Sequence, residues 1–296
     1  ALANAVVGPL YDSIAKVPGS TESRQLLVKE ALAYLDRLES QKSDDLALKA
    51  ELADAYQKIG DVQGNFYNPN LGDVAGAKAS YAKLLPLRQA VFDASPSDVS
   101  ARRNLAIAHS RIADLAVGEN RFDDAIAGYR KALSVLDAAS VADTSEVGLV
   151  ERARMLQRLG VAQNWSDRKA DAIASFEQAI ALVRPLAEAA GASEAVRKSL
   201  LSAYGNLGDV YHYREEYGQA LVHFEQSMAM AKDIAATSSD AATAQRNVYL
   251  TTSRVASALA ELGRTDESAA RRREVIAIQS ELAAKDPRDM SLQSDI

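Results

Sequence analysis

The chain has 296 residues, of which 48% are hydrophobic and 25% charged, so it can bury a sizeable core. Its net charge of −6 argues against a nucleic-acid partner and against docking on anionic lipid, because both need a basic face. No apolar stretch approaches the ~18 residues that cross a bilayer, so we expect no membrane insertion by this segment. The absence of cysteine excludes disulfides and thiolate chemistry but leaves the compartment open.

Three registers repeat along the chain with a period close to 48 residues. The first is an aromatic residue, at spacings of 48, 47 and 48, with an alanine four residues before each. The second is a small residue after an aliphatic one, and the third is a serine every 48 residues. A fixed period of this length is typical of a solenoid of stacked helical pairs. The aromatic register is Tyr81, Tyr129, Phe176 and Phe224, the small residues are Gly60, Ala113, Gly160, Gly208 and Ala256, and the serines are Ser97, Ser145 and Ser193.

The period predicts an all-α solenoid of about six antiparallel hairpins in one domain spanning 1–296. In each hairpin we call the first helix A and the second helix B. The small residues lie on helix A and the aromatic residues on helix B, where the alanine register lets helix A approach closely. The serine register is expected to cap helix A. The predicted hairpins are 3–39, 45–93, 98–139, 145–190, 193–236 and 241–285, and 286–296 is predicted to begin a further helix, since 287–291 repeat the start signal of 96–100.

Two units depart from the register. The second has extra residues at 65–73, where Phe66 and Tyr67 either close over a bound peptide or fold back and shield the first hairpins. Asp73 is expected to cap the helix that follows. In the last unit Ser268 and Arg272 replace the alanine and the aromatic residue, which is typical of a terminal cap.

These motifs resemble the tetratricopeptide repeat (TPR). The best match is Ala203-Tyr204 with Leu207-Gly208-Asp209, followed by Tyr217, Ala220 and Phe224. The resemblance covers roughly 45–285, with a unit longer than the usual 34 residues. It implies a right-handed, non-enzymatic solenoid that binds a protein or peptide and needs no cofactor.

A narrower resemblance is to the C-terminal repeat region of bacterial membrane-anchored Ser/Thr protein kinases. It rests on residues 17–21, on 31–38, and on 59–65 continuing through 68–73. It implies a sensory or docking domain that follows a transmembrane helix and lies outside the cytoplasm, in the periplasm. Without that link the chain would be cytoplasmic. The sequence contains no kinase signature, so any kinase activity would belong to another part of the protein.

No catalytic, metal-binding or cofactor-binding residue is predicted. His212 and His223 are 11 residues apart on different helices and lack metal-ligand spacing, so a surface or packed histidine is favoured. No nucleophile elbow or phosphate loop is present.

The TPR resemblance implies that a partner binds the concave surface lined by helix A. The positions normally occupied by the lysines of a carboxylate clamp hold Gln57, Ser110, Gln157, Gly205 and Ser253, so such a clamp is not expected. Trp165 is predicted to lie in a turn, where it either contacts a partner or packs under its own loop. The predicted groove residues are Gln57, Asp61, Asn65, Ser110, Asp114, Arg154, Gln157, Trp165, Asp209, His212, Tyr213, Ser253 and Ser257.

Three functional hypotheses follow. The first is a protein- or peptide-binding module of a bacterial signalling protein. The alternative is a structural scaffold that forms homo-oligomers through the solenoid ends, because an open end exposes apolar surface. An enzyme with unrecognised chemistry would require a buried cluster of titratable groups.

Overall fold

The computed structural model describes residues 21–39, 44–67, 70–137 and 143–285, and everything within those ranges is helix or connecting turn. The all-helical prediction is therefore confirmed. The first half of the chain contains α1 (Thr21–Glu39), α2 (Leu46–Gly64), α3 (Val74–Ala94), α4 (Val99–Gly118) and α5 (Phe122–Asp137). The second half contains α6 (Glu146–Trp165), α7 (Lys169–Glu188), α8 (Glu194–Tyr213), α9 (Tyr217–Thr237), α10 (Ala241–Glu261) and α11 (Thr265–Lys285).

The helices form two compact units, one ending at Asp143 and the other beginning at Thr144. In the first unit α2 packs on α3 and α4 on α5, and in the second α6 packs on α7, α8 on α9 and α10 on α11. Each of these is a pair of consecutive helices, as in a helical hairpin, and all pairs except α2 and α3 are joined by three residues. The single continuous domain stays a prediction, as does the further helix at 286–296, which lies outside the described residues.

The contact between helix A and helix B is made by a small residue beneath an aromatic ring. A Cβ atom added at Gly208 would lie 2.5 Å from Cδ1 of Phe224, so only hydrogen fits there. The alanine register is equally enclosed, and all four of its members are fully buried. The same contact joins Gly160 with Phe176 and Gly60 with Tyr81.

The helix starts confirm two of the three serine caps. Ser145 and Ser193 accept hydrogen bonds from the backbone N–H groups of Gly148 and Val196, at 3.1 and 3.2 Å. The predicted cap at Ser97 is wrong, because Asp98 accepts the first N–H groups of α4. A carboxylate is the stronger acceptor at this position and also neutralises the positive end of the helix dipole.

The turns between helix A and helix B share one geometry in every pair except α2 and α3. The second residue of each turn adopts a left-handed conformation, with φ between 58° and 72°. The residue after it donates its N–H to a carbonyl in the last turn of helix A, at 2.8–2.9 Å. This is the Schellman motif, and it reverses the chain within three residues. The left-handed residues are Asn120, Asp167, Glu215 and Gly263.

The last hairpin differs from its neighbours as the sequence suggested. Ser268, at the alanine position, is buried and donates its hydroxyl to the carbonyl of Ala256 at 2.8 Å. Arg272, at the aromatic position, is exposed. The buried polar group is therefore satisfied, and the charged group stays in water.

A second aromatic contact fastens α9 to α8. The His223 ring lies between the rings of Tyr204 and Tyr211, with centroid separations of 6.3 and 5.5 Å and interplanar angles of 18° and 13°. Its Nδ1 atom is 3.0 Å from Oε1 of Gln226. Burial lowers the pKa of His223, although the Gln226 hydrogen bond acts in the opposite direction.

Replacing Gly208 by alanine should destabilise the protein, because the added methyl group would enter the space of the Phe224 ring. Overpacking of this kind costs about 1–3 kcal/mol, which exceeds the ~1 kcal/mol that alanine gains over glycine in a helix. Gly218→Ala is the matched control, since a Cβ at Gly218 meets nothing within 4 Å. Urea unfolding should show Gly208→Ala less stable and Gly218→Ala as stable as or more stable than the parent. Equal effects would contradict the close contact.

His223 should make the protein less stable as the pH falls below about 6.5, the ordinary histidine pKa. The folded-state pKa of His223 is lowered, so the unfolded chain takes up more protons in this range. This contribution to stability is present above pH 6.5 and is lost as the pH falls through the folded-state pKa. His223→Phe keeps a ring between the tyrosines and removes the titration. The free energy of unfolding of this variant should therefore fall less than that of the parent between pH 7.5 and 5.

His109, whose pKa is also lowered by burial, is retained in both proteins and serves as the internal reference. Identical pH profiles for the parent and the His223→Phe variant would show that His223 does not contribute.

Candidate functional site

The predicted groove residues lie on the A helices or, for Asn65, at the C-cap of one; these helices are α2 and α4 in the first unit and α6, α8 and α10 in the second. We call the groove residues of each unit the helix-A surface of that unit. In the second unit α6 and α8 pack directly on each other. Gln157 of α6 fastens them, since its Nε2 atom donates to the backbone carbonyl and the hydroxyl of Ser199, at 3.2 and 3.1 Å.

In the first unit the polar groove candidates form a network with one another. Asp61 accepts the hydroxyl of Tyr81 at 2.6 Å and pairs with Arg111 at 2.8 Å. Asn65 donates its amide to Asp61 at 3.1 Å and to Asp114 at 3.4 Å. Burial and the neighbouring Asp61 carboxylate raise the pKa of Tyr81, so the phenol stays protonated and keeps donating. These groups satisfy each other inside the unit.

Asp114 is the most deeply placed carboxylate of this network, with no exposed surface. The hydroxyl of Tyr129 donates to it at 2.8 Å, and Arg111 lies 3.5 Å away. A buried carboxylate needs a cation and hydrogen-bond donors to remain ionised, and Asp114 has both. The contact with Tyr129 of α5 therefore explains why Asp114 lies on the buried face of α4.

The remaining candidates in the first unit are also engaged. Ser110 is buried, and Gln57 is half-buried and accepts from Arg88 at 3.5 Å. Arg88 itself is a buried cation paired with Asp54.

The insertion folds against α4. A Cβ atom added at Gly118 would lie 3.3 Å from the Phe66 ring, and Phe66 and Tyr67 pack edge to face at 5.2 Å. Asn65 holds the loop, since its side-chain oxygen accepts from the Tyr67 N–H and its backbone carbonyl accepts from Asn70. Asp73 caps α3 by accepting from Gly76 at 2.8 Å, as predicted. The contacts support the shielding role, while contact of Phe66 and Tyr67 with a peptide stays a prediction.

In the second unit a carboxylate of the groove set pairs with an arginine of the next A helix. Arg254 donates to Asp209 at 2.9 Å. Burial raises the pKa of the Asp209 carboxyl, and Arg254 offsets part of this effect. The pair corresponds to Asp61 and Arg111 in the first unit, so it recurs with the repeat.

The other polar candidates of the second unit make local bonds. Arg154 is exposed and pairs with Glu151 one turn earlier, at 2.9 Å. Ser253 donates to the carbonyl of Tyr249, and Ser257 is half-buried. None of these three is enclosed, so they remain accessible at the surface.

Two aromatic residues of the set are exposed. Trp165 has 46% of its surface exposed and Tyr213 has 66%. Trp165 is the last residue of α6 rather than part of the turn, which corrects the prediction, and Tyr213 is the last residue of α8. The ammonium group of Lys169 lies 5.9 Å from the centroid of the Tyr213 ring, within the range of a cation–π contact. His212 is half-buried and packs against the Tyr217 ring at 5.2 Å.

The structure thus divides the predicted set into buried, half-buried and exposed residues. The half-buried ones are Gln57, Asp61, Asp209, His212, Ser253 and Ser257. Asn65, Ser110, Asp114 and Gln157 are buried, and a partner would reach them only if the residues around them moved. Trp165, Tyr213 and Arg154 are exposed. Binding by any member of the set stays a prediction, and the geometry favours the exposed residues.

Arg111 and Arg254 were missed by the sequence interpretation although they hold the network together. The sequence did contain a repeated signal for these arginines. Arg111 and Arg254 each stand two residues before the small residue of their helix, and Lys58 and Arg158 occupy the same position in theirs.

Within 21–39, 44–67, 70–137 and 143–285, no three side chains of His, Asp or Glu come together as ligands for a metal ion. No helix in that part of the chain is long and apolar enough to cross a membrane.

Comparison with known proteins bears on the fold. Residues 200–235, which include most of α8 and α9, match the model of the tetratricopeptide repeat family. A search of curated protein sequences found no match.

Several solved structures are similar. BtubC (BKLC) from P. vanneervenii is 17% identical, with a TM-score of 0.69 over 89% of this chain and 92% of that one. The apo form of RapI is 11% identical, with a TM-score of 0.58 over 99% of this chain and 74% of the RapI chain. A third structure is a putative kinesin light chain from Podosopora anserina with nearly identical TPR-like repeats. It is 17% identical, with a TM-score of 0.50 over 80% of this chain and 95% of that one. At such identities the similarity concerns the fold alone, and the chain has a TPR-like, all-helical repeat fold.

Proposed function

We propose that this chain is a non-enzymatic module that binds a protein or peptide through the helix-A surfaces of its units. The observation that carries the proposal is the exposure of Trp165 and Tyr213 at the ends of two packed A helices. Large exposed aromatic residues are the side chains that contribute most to protein interfaces. The TPR-like fold supports the proposal, because solenoids use such surfaces for extended partners.

The ionisable groups of the helix-A surfaces support a binding role rather than a catalytic one. Asp61 and Asp209 are each paired with an arginine from a neighbouring helix, at 2.8 and 2.9 Å. A general acid or base must reach a substrate proton, whereas these carboxylates are occupied by intramolecular bonds that join adjacent hairpins.

A finer proposal concerns the protein to which the module belongs. The resemblance of residues 17–73 to bacterial membrane-anchored Ser/Thr kinases suggests a sensory or docking domain outside the cytoplasm. The coding sequence upstream of Ala1 tests this directly. A kinase domain followed by ~20 apolar residues would support it, and a start codon immediately before the Ala1 codon would refute it.

The alternative of a homo-oligomeric scaffold is favoured by one feature of α11. Ile276 has 51% of its surface exposed on this last described helix, one turn after the exposed Arg272. Light scattering at high protein concentration distinguishes the two functions, since a mass equal to one chain would eliminate the scaffold.

Replacing both Trp165 and Tyr213 by alanine should weaken binding of a peptide ligand at least tenfold, because interface aromatic residues contribute about 2 kcal/mol or more each. Ligands would first be selected from an unbiased random-peptide display library. Isothermal titration calorimetry on the parent and the double variant then gives the change in Kd. Circular dichroism checks that both are folded.

Val222→Ala is the control, since Val222 is similarly exposed but lies on a B helix. It should leave the affinity unchanged. If selected peptides bind the double variant as tightly as the parent, or if hydrogen exchange shows protection only on B helices, the proposed surface is wrong.

A further inference from the structure

In the second unit a B helix packs on the next A helix as well as on its own. The contacts are those of α7 with α8 and of α9 with α10. The position four residues after the aromatic register takes part in them. At this position Met228 of α9 is buried in one apolar cluster with three residues of α10, which are Val255, Ala258 and Leu259. The equivalent residue of α7, Ile180, is also buried, so this position is where the next A helix packs.

Ile276 of α11 occupies the same position and is uncovered. It stands four residues after Arg272, which holds the aromatic position, and 51% of its surface is exposed, against 8% for Met228. α11 packs on α10, and no later helix lies in the part of the chain that the structure describes. A terminal cap would replace this apolar residue by a polar one. α11 thus keeps a position on which another helix can pack.

The face of α11 around Ile276 is basic. Residues three, four and seven positions apart lie on the same side of a helix, and here they include two arginines and no acidic residue. In α9 the positions of these arginines hold Phe224 and Glu225. We call Ile276 and these neighbours the α11 face, and the neighbours are Ala269, Arg272, Arg273, Gln279, Ser280 and Ala283.

The two arginines of the α11 face have donors available to a ligand. Both are exposed, and neither forms an ion pair with the residues that the structure describes. Arg273 uses its Nε atom to donate to the carbonyl of Ala269 at 3.2 Å, whereas a guanidinium carries five N–H donors. The adjacent Arg271 is instead paired with Glu274 at 3.0 Å. Positive charge is therefore left uncompensated on the side of α11 that carries Ile276.

We propose that the α11 face binds an acidic amphipathic α-helix of a partner protein, in the place that the next A helix takes in the other hairpins. The repeat selects a helix, because a helix covers the equivalent residue Met228. The arginines select an acidic one, because carboxylates beside its apolar row would form charge-assisted hydrogen bonds with them. This interaction does not involve the helix-A surfaces, so it goes beyond the proposed binding function.

Two synthetic peptides as long as α10 test the proposal. Both carry apolar residues at the spacing of Val255, Ala258 and Leu259, and a hydrocarbon staple holds both in a helix. One has glutamate and the other lysine at the positions that flank the apolar row. Fluorescence anisotropy of the labelled peptides gives their Kd values. The glutamate peptide should bind the parent at least tenfold more tightly than the lysine peptide, because opposite charges at close range favour one partner over the other.

Replacing Arg272 and Arg273 together by glutamate should reverse this preference, so that the lysine peptide binds more tightly. A loss of folding could not reverse a preference, so the reversal separates binding from stability. Ile276→Ser should weaken binding of the glutamate peptide at least tenfold, since it removes the apolar contact. Arg184→Glu is the control, because it makes the same kind of change at an exposed arginine of α7, and it should leave both affinities unchanged.

Three results would overturn the inference. The first is equal binding of the two peptides. The second is binding of neither, which is also the result expected if residues 286–296 of the same chain cover Ile276. The third is a light-scattering mass of two or more copies that returns to one copy in the double arginine variant, which would assign the α11 face to a second copy. None of these results affects the proposed binding function, because the test of that function does not involve α11.

Discussion

The close approach of helix A and helix B is the constraint on which the rest of this structure depends. It requires a small residue under an aromatic ring, as at Gly208 and Phe224, where there is no space for even one methyl group. Because the contact recurs at Gly60, Gly160 and Gly208, it gives those three hairpins the same close approach of their helices. Any polar atom carried by the buried ring must then find its partner inside the protein.

The acidic residue that follows the small residue on helix A makes the polar contacts around the aromatic ring. Where the ring is Tyr81 or Tyr129, its hydroxyl donates to an aspartate on helix A. Where the ring is Phe224, the aspartate at the equivalent position, Asp209, bonds to Arg254 of the next A helix. One acidic position thus serves two kinds of contact. In both cases the carboxylate is used within the fold, so its presence on helix A is explained without a ligand.

The period predicted the helices and the small-and-aromatic contact because both follow from local, repeated spacing. The caps at Ser145 and Ser193 followed from the same register, but at α4 the neighbouring Asp98 replaced Ser97 as the cap, and the register could not rank two adjacent acceptors. The depth of Asn65 and Asp114 was not predictable either. Their burial depends on contacts between residues far apart in the sequence, such as the bond between Asn65 and Asp114, which are 49 residues apart. A repeat indicates which face a residue occupies, whereas burial depends on what covers that face.

A repeat protein can change one pair of hairpins without altering the contacts that hold the others, because each unit packs only on its neighbours. The end of helix A is suited to such change, since it lies beyond the small-and-aromatic contact and ahead of the Schellman turn. At this position the first unit carries Asn65, which is buried and holds the insertion, whereas the second unit carries exposed Trp165 and Tyr213. Leaving a tryptophan half-exposed forfeits about 1–3 kcal/mol of burial. Trp165 and Tyr213 therefore keep aromatic surface in contact with solvent on two packed A helices, which is the arrangement that the proposed binding of a partner requires.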